Sequence, residues 1–140
     1  MSKVILVTGG SKGIGANIVE GLARKGYTVI LNYNNSEKEA KSIQNALNKE
    51  NINIDICQAD VSIHTEVTKL INYCINKYHK IDVLINNAGI SQTKLFTDIT
   101  DVDWYIMLQT NLTSAFYTIK DTLPCMIHNK NGCIINISSV

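Results

Sequence analysis

Residues Thr8 to Gly15 read TGGSKGIG, and the fold turns on what stands on either side of them. Before them, Lys3–Thr8 (KVILVT) is an apolar, β-branched run without alternation, the pattern of a strand buried on both faces. After them, Ile14, Ile18 and Leu22 recur at helical spacing, and Gly26 supplies a stop just past the helix end. Glycines between strand and helix allow positive φ and let a phosphate approach the backbone. The helix N-terminus adds free N–H groups and the positive end of its dipole. A glycine cluster alone would signify only a tight turn; the strand before it and the helix after it favour a phosphate-binding turn.

The same alternation continues outward. Thr28–Tyr33 (TVILNY) predicts a second strand. Ser36 with Glu39 three residues on forms a capping box that opens a helix to about Lys49. Asn53–Cys57 predicts a weaker third strand, a helix follows from near Ser62 to Tyr78, and Ile81–Asn86 predicts a fourth buried strand. Thr100 with Asp103 caps a long helix whose inner face is expected at Leu108, Leu112, Ala115, Phe116, Ile119 and Leu123. Pro124 is expected to kink or end it. Gly132 then leads into a fifth strand, Cys133–Ser138. Strands separated by helices imply right-handed crossovers and a doubly wound parallel α/β sheet with helices on both faces. Ligands of such sheets bind at the carboxyl ends of the strands, near the switch point.

Bulk properties exclude several classes. The 140 residues fit one domain, with 18% charged residues, a net charge of +1 and no run of like charges. No electrostatic footprint for nucleic acid or a membrane surface exists. The apolar run in MSKVILVTGG is too short for a signal peptide, and a cytoplasmic protein is expected. Cys57, Cys74, Cys125 and Cys133 show no CxxC spacing, so reduced, buried cysteines and no metal site are expected.

Further motifs fall at the strand ends. Asp60-Val61 follows strand three, Asn86 to Gly89 (NNAG) closes strand four, Asn111 stands inside the long helix, and IINISSV ends the chain. With the spacing Thr-Gly-x-x-x-Gly-x-Gly, these motifs in this order resemble the short-chain dehydrogenases/reductases over all 140 residues. Within that family the chain is most similar to bacterial 3-oxoacyl-acyl-carrier-protein reductases. The resemblance implies a Rossmann-type sheet in which Gly9, Gly10, Ser11, Lys12, Gly13, Ile14 and Gly15 shape the cofactor turn. Asp60 would meet the adenine amino group beside the Val61 backbone. Asn87, Ala88 and Gly89 would line the ribose and the floor of the site. Asn111 would sit where the helix is irregular and help to order a water in a proton relay. Plain alternatives are a strand-ending turn for NNAG and a solvated helix residue for Asn111.

Cofactor choice has a physical reading. NAD-preferring relatives hold the ribose 2′-hydroxyl with a carboxylate at the end of strand two. Here Tyr33 and Asn34 stand there, followed by Asn35 and Ser36, none acidic, while Lys12 can neutralise a 2′-phosphate. NADP is therefore the expected cofactor, unless Lys12 is merely a surface lysine.

At the chain's end, Ser139 matches the family's substrate-orienting hydroxyl, and Ser138 is expected to face elsewhere. The family's acid is a tyrosine in Tyr-x-x-x-Lys. The one such string, Tyr73 to Lys77 (YCINK), precedes strand four and reads as an i,i+4 surface pair. Residues 1–140 are thus expected to form an incomplete reductase domain, lacking the family's later strands and helices and unable by themselves to reduce a ketone. The implied substrate is a small or carrier-bound ketone, with acyl carrier protein as a partner, Lys130 as a basic contact for it, and a homo-oligomer for the complete protein. Other readings are a reductase of the ketone-modified lysine of elongation factor P, a similarity carried by Gly89–Trp104, a non-catalytic dinucleotide-binding module, and an interaction fragment acting through the long helix.

Overall fold

The computed structural model describes residues 2–138. In chain order it contains β1 (Val4–Val7), α1 (Gly13–Arg24), β2 (Thr28–Tyr33), α2 (Glu37–Lys49), β3 (Asp55–Gln58), α3 (His64–Tyr78), β4 (Val83–Asn86), a 3-10 turn (Phe96–Asp98), α4 (Asp101–Leu108), a π-helical turn (Gln109–Thr113), α5 (Ser114–His128) and β5 (Cys133–Asn136). All strand pairs are parallel, in the order β3-β2-β1-β4-β5. Chain direction along the sheet reverses at β1, which pairs with β2 on one side and β4 on the other. A crevice therefore opens at the carboxyl ends of β1 and β4.

Alternation along the central strands divides the core in two. Val4, Leu6, Ile30 and Leu84 face Val67, Leu70, Ile71 and Cys74 of α3 and Met126 of α5. Ile5, Val7, Val29, Leu31 and Ile85 face Val19 and Ala23 of α1 and Ala40, Ile43 and Leu47 of α2. Both faces are apolar because both are covered, which is why the strands read as unbroken apolar runs. Gly26, with φ +82°, lies just beyond α1 in the left-handed conformation that ends it.

Several expectations are corrected. Strand β2 has the expected bounds, while the other four strands are shorter than the runs that predicted them, although flanking residues such as Thr8 and Ile137 still bond across to neighbouring strands. Ser36 begins α2 without capping it, since its hydroxyl bonds Ser11 instead (Oγ–Oγ 2.6 Å). Cys133 is exposed. The helix passes Pro124 and continues to His128; the proline forfeits one backbone bond, while buried Met126 beyond it holds the final turn against the core. The inner face of α5 is the largest change. Ser114, Thr118, Thr122 and Met126 are buried, whereas Leu112, Phe116 and Leu123 are exposed. Small residues let the helix lie close to the sheet, and the larger apolar side chains point outward.

Candidate functional site

The glycine turn is held by its neighbours. Gly9 and Gly13 adopt φ of +60° and +53°, conformations costly for residues with a side chain. A Cβ on Gly9 would stand 2.8 Å from Ala88 Cα, and one on Gly15 would overlap the Asn87 amide and the Gly9 carbonyl. The Gly10 N–H donates to the Asn32 carbonyl (2.8 Å) and the Gly9 N–H to Asn32 Oδ1 (3.4 Å). At Lys12, α1 starts with no side-chain cap and no acidic residue in its first turn. Its first N–H groups and positive dipole end are thus left for a ligand.

Across the switch point, the β1 and β4 ends are cross-linked. Thr8 Oγ1 accepts from the N–H groups of Asn87 (3.0 Å) and Ala88 (3.1 Å), while Asn87 Nδ2 donates to the carbonyls of Thr8 (3.1 Å) and Gly9 (3.0 Å). Behind them, Asn86 donates to Asn136 (2.9 Å) and accepts from Thr118 Oγ1 (2.7 Å). Asn111 lies in the π-helical turn. Its side chain accepts from the Ile90 N–H (2.8 Å) and donates to the Ile90 carbonyl (2.9 Å), pinning the chain after β4.

Two cavities meet at Ala88, Gly89 and Ile90. The larger, about 650 Å³, also takes in Ile14, Asn87, Asn111 and Ser138. The smaller, about 270 Å³, reaches past Gly9, Ser11 and Lys12 to Tyr33, Asn34, Asp60 and Val61. Together they form one groove across the carboxyl edge of the sheet. Asp60 Oδ1 is engaged by the Ser62 N–H (2.9 Å) and hydroxyl (2.6 Å), and the residue lines the smaller cavity. Lys12 Nζ lies 3.0 Å from Glu39 Oε1 of α2.

The sixteen sequence-predicted residues thus gather at one edge, with the exception of Ser139, which lies outside the described residues. Ser138, expected to face elsewhere, lines the larger cavity. Tyr73 and Lys77 point away, into a cluster on Asp55 of the edge strand β3. Lys130 precedes β5 and so occupies the amino edge of the sheet, opposite the groove. Asn32 was missed; its amide also ties β2 to the carbonyls of Cys57 (3.3 Å) and Ala59 (3.0 Å). A lone asparagine inside the apolar run TVILNY was the available signal, because a buried amide is kept only where it is fully bonded. Among the described residues no cluster suits a metal ion, and no helix is long and apolar enough to cross a membrane.

Comparison with known proteins agrees with this geometry. The family model described as short chain dehydrogenase matches residues 3–140, and the chain belongs to that family. It is 36% identical to the 3-oxoacyl-[acyl-carrier-protein] reductase FabG of Staphylococcus aureus over 140 residues, all of this chain and 57% of the relative. It is 35% identical to the FabG of Buchnera aphidicola over 138 residues, 99% of this chain and 55% of that protein. A crystal structure of a metagenomic short-chain oxidoreductase in complex with NADP superposes with a TM-score of 0.92 at 27% identity, covering 99% of this chain and 62% of the other. The chain therefore spans little more than half the length of the curated relatives it matches.

Proposed function

We propose that this chain carries the NADP-binding portion of a reductase that reduces a ketone, a 3-oxoacyl thioester on acyl carrier protein being the favoured substrate. One observation supports the cofactor most directly: the groove has Lys12 at its β2 end and no carboxylate on the residues leaving β2. The residues present fit such a group, since Gly9 and Gly15 let the turn close against Ala88 and Asn87, a Cβ at Gly13 would meet only open space, and the start of α1 carries no side-chain cap. When bound, NADPH supplies a hydride.

In this reading the protein's own residues hold and orient. The N–H groups at the start of α1 take the pyrophosphate, Lys12 the 2′-phosphate, and Asp60 with the Val61 backbone the adenine. Asn87, Ala88 and Gly89 form the floor, and Ser139 orients the ketone oxygen. Because the Asn111 side chain is spent on Ile90, ordering of a relay water falls to its main-chain carbonyl, where the π-helical turn disturbs the regular ladder. Tyr73 is no proton donor to this site. The carrier-bound substrate rests on the similarity to FabG proteins rather than on Lys130. We place the protein in the cytoplasm, and we propose a homo-oligomer joined through the exposed apolar side chains of α4 and α5.

The test is a fluorescence titration with NADPH and NADH. Lys12→Ala is expected to weaken NADPH at least tenfold, matching the ~1.5–3 kcal/mol of a hydrogen bond to a charged group, and to leave NADH nearly unchanged. Equal losses for both cofactors would remove Lys12 from the phosphate site. Oxidation of NADPH by a short 3-oxoacyl thioester, in a protein extended to the relatives' length, tests the substrate class.

A further inference from the structure

Two contacts join the glycine turn to the first turn of α2. Buried Ser11 shares a 2.6 Å hydrogen bond with Ser36, whose hydroxyl is thereby withdrawn from capping its own helix. One residue further on, Lys12 Nζ meets Glu39 Oε1 at 3.0 Å. The serine contact fixes the helix start against the turn, and so sets the reach between the two charged side chains. Of the other charges in that turn, Glu37 pairs with Lys41 at 2.6 Å, and the positive charge of Lys38 adds a smaller favourable effect at Glu39. The hydrogen bond from Lys12 lowers the Glu39 carboxyl below its ordinary range, with its own backbone N–H helping, so the glutamate is ionised at neutral pH.

We propose that Glu39 is a specificity-determining residue of the cofactor groove, a built-in competitor that holds the Lys12 ammonium until a 2′-phosphate displaces it. This rests on the reading of Lys12 as the phosphate contact. A 2′-phosphate competes with Glu39 for the Lys12 ammonium, and it then sits near a carboxylate of its own sign. A 2′-hydroxyl makes neither demand. Glu39 therefore lowers affinity for the phosphorylated dinucleotide while leaving the unphosphorylated one alone, and it reduces the discrimination that Lys12 creates. The pair is solvent-exposed, so the effect is small and screened by salt.

The experiment is a double-mutant cycle read by NADPH and NADH binding at low ionic strength. Glu39→Gln keeps the size and helical preference of the side chain while removing the charge. It is expected to tighten NADPH about two- to fivefold, the range of exposed ion pairs, and to leave NADH unchanged. In the Lys12→Ala background most of that gain should vanish, because there is no longer an ammonium to release. Raising salt should shrink it as well. An unchanged or weaker NADPH affinity in Glu39→Gln would overturn the proposal, as would an equal gain with and without Lys12, which would mean simple repulsion. If the wild-type protein binds both cofactors alike and Lys12→Ala alters neither, the parent reading fails. A preference that depends on Lys12 beside a silent Glu39→Gln overturns this inference alone.

Discussion

Thr118 and Thr122 stand one turn apart on α5, both fully buried, and differ in a way that composition does not show. Thr118 Oγ1 donates to Asn86 Oδ1 at the switch point (2.7 Å) and lies within bonding distance of its own helix's carbonyls. Thr122 Oγ1 is buried with no partner. Replacing each by isosteric valine should therefore move stability in opposite directions. Thr118→Val strands a buried amide oxygen and is expected to cost ~1–3 kcal/mol. Thr122→Val removes an unsatisfied hydroxyl and should be neutral or stabilising by up to ~1 kcal/mol. Thermal melts of the two variants check this, and parallel losses would mean that Thr122 has a partner after all. At this scale the sequence was only partly legible. The glycines and NNAG declared themselves by type and spacing, but Thr118 and Asn32 are ordinary residues until the fold supplies their partners.

At the scale of elements, β3 is one of the two edge strands among the described residues, and Asp55 fastens it to α3. Its carboxylate accepts from Tyr73 (2.7 Å), Lys77 (2.7 Å) and Tyr78 (2.7 Å). Burial pushes the Asp55 carboxyl up, but hydrogen bonds from Lys77, Tyr73 and Tyr78 together outweigh it and hold the group below its ordinary range. A depressed folded value means that the stabilisation is complete above the unfolded value of about 4 and is lost as pH falls through the folded one. Asp55→Asn should lower the melting temperature at pH 7 and lose less than the wild type on descent from about pH 4 to about pH 2. Identical pH profiles for the two proteins would remove Asp55 from the acid transition. The Tyr73–Lys77 string thus ties α3 to the first residue of β3. Its position before β4 in the sequence already argued against a catalytic role, and its bonds to Asp55 at the amino end of β3 set it away from the groove. Helical periodicity likewise located α5 but misassigned its inner face, since a stripe of serine and threonine outcompeted leucine and phenylalanine for the sheet.

For the whole molecule, the decisive feature is what remains uncovered among the described residues. Trp104, Tyr105, Leu112, Phe116 and Ile127 are exposed along α4, the π-helical turn and α5. Across the sheet, Ile135 and Ile137 of the β5 region join Ile18 and Leu22 of α1 in an apolar cavity of about 350 Å³. Strand β5 pairs only with β4. Apolar patches and an open strand edge of this kind favour association. The 140-residue chain is expected to self-associate at micromolar concentration in sedimentation velocity, and Phe116→Glu should reduce that association. A monodisperse wild-type monomer with a sharp cooperative melt would refute the expectation.

Sequence by itself determined the alternation of strand and helix, the parallel sheet and the residues of the glycine turn. Each of these follows from local patterns: doubly buried strands are continuously apolar, and a phosphate turn needs glycine at set intervals. The NNAG motif was legible for the same reason, since it stands at a strand end. Tertiary structure alone decided which face of α5 meets the sheet, that Ser36 serves Ser11 rather than its own helix, and that Lys12 is held by Glu39. These are contacts between residues that no local pattern relates, and they form only because the crossovers bring separate elements to one edge of the sheet.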